Sequence, residues 1–187
     1  MIKVLICLLL VVLAPVEKVL FIGDSLTAYQ YGWQQKLSEE KNYQSVNTAV
    51  SGKRTDWMLG ILGESIKTNH YDKIFIYGGI NDIVGNYKAE VPLRNIRHMI
   101  SICKMHNIEP IIITGYNSEI IRVLRMRNKG FEKTIRYEYK RLQDSLMTIN
   151  NTKVIPPALL LQTDTNDGIH LNSTGQKKFS EWIIKNM

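Results

Sequence analysis

The sequence has few residues that could hold a fold together through cross-links or metal ions. Only two of its 187 residues are cysteines, Cys7 and Cys103. Two cysteines cannot form a disulfide framework, and no CxxC pair or Cys/His cluster has the spacing of zinc ligands. Cys103 lies within a helical pattern, where a small buried side chain is its expected role. We therefore expect no metal ion and no cofactor.

Long runs of like charge are also missing. Lys and Arg outnumber Asp and Glu by 24 to 17, which gives a formal net charge of +7, yet no run of five basic residues occurs. In the densest basic region, 122–141, basic residues alternate with apolar and acidic ones, as on an exposed helix. This pattern favours a solvated basic surface over an anion-binding patch, so we expect no nucleic-acid partner.

A long apolar run occurs only at the N-terminus. Lys3 is followed by eleven apolar residues, Val4 to Ala14, whereas a helix that spans a bilayer takes about twenty. A basic residue, a short apolar stretch and a small residue at its end are typical of a secretory signal peptide. We therefore predict a signal peptide at 1–14, a single domain at 15–187, and export to the periplasm or the medium. No membrane span is expected after signal-peptide removal. The alternative is that 1–14 forms an additional element of the fold.

Apolar runs and helical patterns alternate along the rest of the chain. Buried strands are predicted at 19–22, 74–77 and 110–114. An apolar, alternating strand is predicted at 43–50 and a short fifth strand at 154–155. The spacing of apolar residues predicts helices at 26–41, 55–67, 93–103, 118–147 with a break at Gly130, and from a cap at Ser173 onward. Loops are predicted at 79–82 and 86–91. The alternation predicts a three-layer α/β fold with a parallel sheet of about five strands.

Several polar or small residues directly follow predicted strands. They are Ser25, Gly52, Asn81 and the pair Tyr116-Asn117. In open parallel sheets, ligands bind outside the carboxyl ends of the strands. We therefore expect these residues to meet at one edge of the sheet.

Ser25 is a candidate nucleophile if a base can remove its proton. His170 is the best candidate base, because Asp167 lies three residues before it. At that spacing a carboxylate can hold the imidazole Nδ1–H and leave Nε2 facing Ser25. The other histidines lie in helical patterns or before a strand, at His70, His98 and His106. The alternative for His170 is a loop histidine bonded to the backbone.

Acyl transfer also requires donors for the oxyanion of the tetrahedral intermediate. The backbone N–H groups of Ser25 and Gly52 and the side-chain amide of Asn81 could supply them. Gly52 could equally be an ordinary turn glycine, and Asn81 a residue of an Asx turn.

Four short blocks bring these residues together in one order. They are Gly23-Asp-Ser-Leu26, Ser51-Gly52, Gly79-Ile-Asn-Asp82 and Asp167-Gly-Ile-His170. Together they resemble the SGNH hydrolase superfamily, also called GDSL esterases and lipases, over residues 18–184. The resemblance implies a flavodoxin-like α/β/α sandwich and a serine esterase. It assigns Ser25 as nucleophile, His170 as base, Asp167 as its orienting carboxylate, and Ser25, Gly52 and Asn81 as the oxyanion hole.

The size of the domain bears on the substrate. No insertion is long enough for a large lid, so the site suits a short acyl group, such as acetyl, on a small ester or an O-acylated glycan. We predict that Tyr31, Tyr116 and Asn117 contact this substrate.

Three alternatives remain open from the sequence. The first is a lysophospholipase or thioesterase of the same superfamily. The second is a nucleotide or phosphate binder, which the single glycine and the acid at Gly23-Asp24 disfavour. The third is a non-catalytic glycan-binding module, which the presence of every candidate catalytic residue disfavours.

Overall fold

The computed structural model describes residues 15–122 and 129–187. The predicted signal peptide at 1–14 and the segment 123–128 of the predicted fourth helix lie outside the described residues. The strands are β1 (Lys18–Gly23), β2 (Gln44–Asn47), β3 (Lys73–Tyr77), β4 (Glu109–Ile113) and β5 (Lys153–Ile155). The helices are α1 (Ser25–Ala28), α2 (Trp33–Lys41), α3 (Thr55–Thr68), α4 (Ile80–Val84), α5 (Glu90–Met105), α6 (Lys129–Met147) and α7 (Ser173–Asn186), with 3₁₀ turns at Ser118–Ile120 and Gln162–Asp164.

The five strands form one parallel sheet in the order β2-β1-β3-β4-β5. Strands β1, β3 and β4 are apolar and almost entirely buried, because helices cover both faces of the sheet. Helix α2 packs against α7, and α3 packs against α5, which also contacts α6. The predicted three-layer α/β/α sandwich is therefore confirmed.

Aromatic side chains fill the layer between the sheet and helices α2 and α7. Trp33 is fully buried, with its ring centroid 5.3 Å from that of Phe21 and 6.5 Å from that of Phe179. Its indole N–H donates to the Leu26 carbonyl over 3.1 Å. Burying side chains of this size stabilises a fold by roughly 1.5–3 kcal/mol each. These contacts tie the last helix of the chain to the first strand.

Some boundaries differ from the sequence predictions. The single helix predicted at 26–41 is two helices, because Tyr29 is extended (φ −63°, ψ 122°) and ends α1. The Tyr29 carbonyl accepts from the Gly32 N–H over 3.0 Å and from the Gln34 side chain over 2.6 Å. These donors occupy the Tyr29 carbonyl, which in a continuous helix would accept from the N–H group four residues later.

Further differences concern helix ends. The predicted loop at 79–82 contains the start of α4, and α5 begins before Pro92, which the first turn of a helix tolerates. Ser118 begins only a 3₁₀ turn, and Gly130 lies at the start of α6, not at a break within it. The cap of α7 is Asn172, whose side chain accepts from the Gly175 N–H over 3.0 Å.

The second predicted strand is also shorter than expected, since only Gln44–Asn47 pairs with β1. Within the two described ranges, none of the helices combines the length and the apolar character that a bilayer crossing requires.

Candidate active site

Ser25 lies at the junction of β1 and α1, at the carboxyl edge of the sheet. The turn requires Gly23, because a Cβ there would lie 2.7 Å from the Tyr77 carbonyl oxygen of the neighbouring strand. Asp24 then caps α1, with its Oδ1 accepting from the Leu26 N–H over 3.0 Å. The turn and the cap together hold the Ser25 hydroxyl at the sheet edge.

The structure brings Ser25, His170 and Asp167 into one hydrogen-bonded chain. His170 Nε2 lies 2.9 Å from Ser25 Oγ, and His170 Nδ1 lies 2.7 Å from Asp167 Oδ2. The other carboxylate oxygen, Oδ1, accepts from the backbone N–H groups of Ile169 and His170 over 3.0 and 2.7 Å. Such an arrangement can move a proton from a hydroxyl to an imidazole and hold the resulting cation.

The loop that carries Asp167 and His170 is fixed by backbone contacts. Gly168 has φ +85°, and a Cβ there would lie within 3 Å of the Arg122 backbone. The Arg122 N–H donates to the Gly168 carbonyl over 3.0 Å. The loop closes as a small hairpin, in which the Asn166 N–H donates to the His170 carbonyl over 2.7 Å. The loop that positions the imidazole is therefore held by backbone hydrogen bonds within itself and to Arg122.

Two carboxyl groups of the site have opposite electrostatic environments. Burial acts to raise the pKa of Asp167, but hydrogen bonds from the His170 and Ile169 N–H groups and the His170 ring outweigh it and hold the pKa below its usual value. Asp24 has no exposed surface, and this burial raises its pKa to about 7 despite the Leu26 N–H. Asp167 is therefore the carboxylate that stays ionised beside the imidazole at neutral pH.

The candidate oxyanion donors differ in whether their N–H groups already donate a hydrogen bond. Among the described residues, the backbone N–H groups of Ser25 and Gly52 find no acceptor. Gly52 has φ +76° and open space where a side chain would be. Asn81 is more constrained, since its Nδ2 donates to the Lys53 carbonyl over 3.0 Å and contacts Asp24 Oδ2 at 3.4 Å.

Asp82 fixes the relative position of the segments that carry Gly52 and Asn81. Its carboxylate accepts from the Thr55 N–H over 3.0 Å and from the Thr55 hydroxyl over 2.7 Å. Thr55 is the first residue of α3, which directly follows the Gly52 turn, and Asp82 directly follows Asn81. The buried Asp82 carboxylate thus fixes the distance between the segment that carries Gly52 and the segment that carries Asn81.

Two clefts are lined by candidate site residues. The cleft that we call the His170 cleft has a volume of about 580 Å³, and its lining includes Ser25, Tyr29, Tyr31, His170, Leu171 and Gln176. The cleft that we call the Gly52 cleft has a volume of about 720 Å³, and its lining includes Gly52, Lys53, Arg54, Trp57, Asn81 and Gly85. Ser25 and His170 therefore line one cleft, and Gly52 and Asn81 line the other.

The predicted substrate contacts are only partly placed at these clefts. Tyr31 is exposed and lines the His170 cleft. Tyr116 is 1% exposed, and its hydroxyl donates to the Ile169 carbonyl of the loop that carries His170. Asn117 accepts from the Leu160 N–H over 2.8 Å and lines neither cleft. The structure thus places Tyr31 at a cleft, and Tyr116 and Asn117 away from both clefts.

Sequence reasoning also missed residues that line the clefts. Gln176 lines the His170 cleft. It belongs to a helix whose apolar spacing indicates a packing face of Phe179, Trp182 and Ile183, and Gln176 is part of no recognisable motif. Lys53 and Trp57, by contrast, adjoin the Gly52 turn, and their proximity to a candidate donor was a usable signal.

The described part of the chain offers neither a cluster of metal-binding side chains nor a reactive thiol. Within 15–122 and 129–187, no three His, Cys, Asp or Glu side chains are grouped so that they could hold a metal ion. Cys103 is buried, and burial raises the pKa of its thiol to about 12, which keeps it protonated at neutral pH.

The chain is similar to known proteins over most of its length. The model of the GDSL-like lipase/acylhydrolase family matches residues 21–178. An isoamyl acetate-hydrolyzing esterase of Saccharomyces cerevisiae is 26% identical, over 90% of this chain and 85% of that protein.

Solved structures with the same fold are more distant in sequence. A GDSL-like lipase from Bacteroides thetaiotaomicron superimposes with a TM-score of 0.70 at 18% identity, over 90% of this chain and 86% of that one. A catalytic mutant of an acetylxylan esterase from Geobacillus stearothermophilus superimposes with a TM-score of 0.72 at 17% identity, over 91% of this chain and 93% of that one.

Proposed function

The chain belongs to the GDSL-like lipase/acylhydrolase family, and from this premise we propose that it is a serine esterase that releases short acyl groups through an acyl-enzyme on Ser25. The observation that carries the proposal is the chain of hydrogen bonds from Ser25 through His170 to Asp167, with distances of 2.9 and 2.7 Å. Nucleophile and base within such reach, with the base oriented by a third group, are the signature of covalent acyl transfer.

In the proposed mechanism, Ser25 Oγ attacks the ester carbonyl carbon while His170 Nε2 takes the hydroxyl proton. Asp167 stabilises the imidazolium that forms. The tetrahedral intermediate collapses, the bond from carbon to the alcohol oxygen breaks, and His170 gives its proton to the leaving alcohol. Water, activated by His170, then attacks the acyl-enzyme and releases the carboxylic acid and free Ser25.

The oxyanion of the intermediate is proposed to accept from the Ser25 and Gly52 N–H groups, which have no acceptor among the described residues. Asn81 is proposed as the third donor. Its contact with Asp24 Oδ2, at 3.4 Å, is the weaker of its two amide contacts. That N–H can turn to the oxyanion while the Lys53 carbonyl keeps the other.

We propose acetate esters of small alcohols or of glycans as the substrates. Both the yeast relative and the Geobacillus structure carry names that refer to acetate esters, of isoamyl alcohol and of xylan. The clefts beside Ser25 are open, with half of the His170 side chain exposed, which suits a short acyl group and a varied alcohol.

The direct test measures hydrolysis of p-nitrophenyl acetate and p-nitrophenyl decanoate. Ser25→Ala should lower kcat on the acetate by about 10⁴ or more. Ser101→Ala, on the exposed surface of α5, is the matched control and should behave as the wild type. Retained activity in Ser25→Ala would overturn the mechanism, and a preference for decanoate would favour the lysophospholipase or thioesterase alternative.

A further inference from the structure

A further cleft adjoins the His170 cleft and takes no part in the proposed mechanism. This cleft, which we call the β2 cleft, has a volume of about 660 Å³ and is lined mainly by residues of α2, β2 and the turn between them. Ala28 and Gln30 line both the β2 cleft and the His170 cleft. Ala28 lies three residues after Ser25 in α1, and residues at that spacing on a helix have Cβ atoms about 5–6 Å apart. The β2 cleft therefore begins close to the nucleophile.

The lining of the β2 cleft is polar but almost uncharged. Although the protein has a formal net charge of +7, no Lys or Arg is found among the described residues that line this cleft. The one acidic residue among them, Glu39, already accepts from the Gln35 side chain over 2.9 Å. The lining offers amide and hydroxyl groups instead, from Gln30, Gln35, Ser38, Asn42, Ser45 and Asn47. A charged ligand would therefore find no free counter-charge there.

Several of these polar side chains are open to a ligand. Gln30, Asn42 and Ser45 are exposed, and within 15–122 and 129–187 their side chains have no hydrogen-bond partner. Amide and hydroxyl groups both donate and accept hydrogen bonds, as the hydroxyl groups of a sugar do. Tyr43 is half-buried and adds an aromatic ring to the lining. Fixed polar groups beside an aromatic ring suit a neutral, hydroxyl-rich ligand.

The segment between the two clefts is held by side-chain hydrogen bonds. Asn47 of β2 donates from its side chain to the Thr27 carbonyl of α1 over 3.0 Å. Gln34 of α2 donates from its side chain to the Tyr29 carbonyl over 2.6 Å. These bonds tie β2 and α2 to the segment from which Ala28 and Gln30 line both clefts.

The alcohol part of an acetate ester is the part that can reach the β2 cleft. An acetyl group has only a methyl group beyond its carbonyl carbon, so any large part of the substrate near Ser25 belongs to the alcohol. The alcohol oxygen must also approach His170 Nε2, which protonates it. His170 lines the cleft that shares Ala28 and Gln30 with the β2 cleft. An alcohol longer than one sugar ring can therefore extend from one cleft into the other.

We propose that the β2 cleft binds a neutral sugar unit next to the unit whose acetyl group is removed, so that the substrates are acetylated oligosaccharides and not acetates of small alcohols. The proposal rests on the proposed esterase function and adds the substrate class. A small alkyl acetate would react at Ser25 without using the β2 cleft. A polyanion such as a nucleic acid would find no cation in its described lining.

The test compares acetylated xylotetraose with acetylated xylose, and acetylated cellotetraose with acetylated glucose, each as kcat/KM per acetyl group. Wild type should favour the tetrasaccharide about tenfold or more in at least one series, because a second bound sugar adds binding energy that one sugar cannot supply. The double variant Ser45→Ile with Gln35→Leu changes two exposed side chains that line the β2 cleft but not the His170 cleft. It should reduce the preference to about twofold or less and leave kcat/KM on the monosaccharide within about twofold.

Gln44→Ile is the matched control. Gln44 is exposed on β2 directly before Ser45, so its side chain points to the opposite face of the strand. This variant should keep the wild-type preference. Equal kcat/KM per acetyl group in both series of the wild type would overturn the proposal, as would a preference that survives in the double variant or is lost in Gln44→Ile. Failure of the proposed function is a separate result, namely no Ser25-dependent hydrolysis of p-nitrophenyl acetate.

Discussion

Asp24 shows how one buried carboxyl group can link the active site to the pH dependence of stability. It has no exposed surface, and burial raises its pKa from 3.8 to about 7. Between those values the folded protein keeps a proton that the unfolded chain has lost. The stabilising effect is therefore complete below pH 3.8 and is lost as the pH rises through about 7.

We predict that Asp24→Asn makes the free energy of unfolding less dependent on pH. Wild type should lose as much as about 4 kcal/mol through Asp24 between pH 4 and pH 8, whereas the variant has no proton to lose there and its amide oxygen can still cap α1. Urea unfolding at both pH values measures this. Asp167 has a lowered pKa, so its contribution to the free energy of unfolding changes in the opposite direction, at lower pH. Both proteins contain Asp167, so this contribution cancels in the comparison. Equal slopes would contradict the prediction.

Asn81 permits a second prediction at the residue scale. If its amide binds the oxyanion, Asn81→Ala should lower kcat on p-nitrophenyl acetate by ~10²–10³ with little change in KM, because the contact forms only in the transition state. Asn69→Ala, in an exposed loop, is the control. A change in KM alone would show that Asn81 binds the ground state of the substrate instead.

The residues of the candidate site were predictable to different degrees. Ser25, Gly52, Asn81, Asp167 and His170 follow strand ends or lie in a short polar loop, and such local patterns are visible in a sequence. Tyr116 also follows a strand, yet it is buried. The direction of the Tyr116 side chain depends on its contact with the loop that carries His170, and the spacing of residues along the chain does not predict that contact.

At the scale of elements, strands were easier to predict than the starts of helices. Strands β1, β3 and β4 are uninterrupted apolar runs, and their burial on both faces is a property of the sequence itself. The division between α1 and α2 depends instead on hydrogen bonds to a single carbonyl, that of Tyr29. The start of α4 follows Gly79, which has φ +113°. Neither feature leaves a periodic signal.

The 165–171 loop behaves as one element, and Gly168 is its most restrictive position. We predict that Gly168→Ala lowers kcat/KM at least tenfold and destabilises the fold by about 1–3 kcal/mol, because φ +85° is strained for alanine and the new Cβ would meet the Arg122 backbone. Activity on p-nitrophenyl acetate and thermal unfolding measure the two effects.

Gly60→Ala is the matched control for that variant. Gly60 lies within α3, and apart from its chain neighbours and the surrounding helix backbone no atom lies within 4 Å of the position that its Cβ would occupy. Alanine favours the helix by about 0.5–1 kcal/mol over glycine, so this variant should be slightly more stable and equally active. If Gly168→Ala and Gly60→Ala change activity and stability alike, the backbone restriction at Gly168 is not the cause of the change.

For the whole molecule, the site is assembled from four separate segments around the carboxyl edge of β1. Ser25 follows the strand itself, Gly52 follows β2, Asn81 follows β3, and His170 comes from the loop before α7. A covalent adduct on Ser25 whose oxygens accept from Ser25 and Gly52 would stabilise the folded state alone, since the unfolded chain has no such arrangement.

We therefore predict that modification by phenylmethanesulfonyl fluoride raises the melting temperature by about 2–4 °C, as expected for roughly 1 kcal/mol in a domain of this size. Differential scanning calorimetry measures the shift. Ser25→Ala treated with the same reagent should show none. An adduct that lowers the melting temperature would indicate that the sulfonyl oxygens find no donors.

The short spacing between Asp167 and His170 has a consequence for how activity returns during refolding. Base and carboxylate belong to one loop, so among Ser25, Asp167 and His170 only the distance between His170 and Ser25, which lie 145 residues apart, depends on long-range order. That distance is set when the C-terminal segment docks and Phe179 packs against Trp33. Regain of esterase activity after dilution from denaturant should therefore report the docking of the last helix, and should lag behind the return of sheet structure measured by circular dichroism.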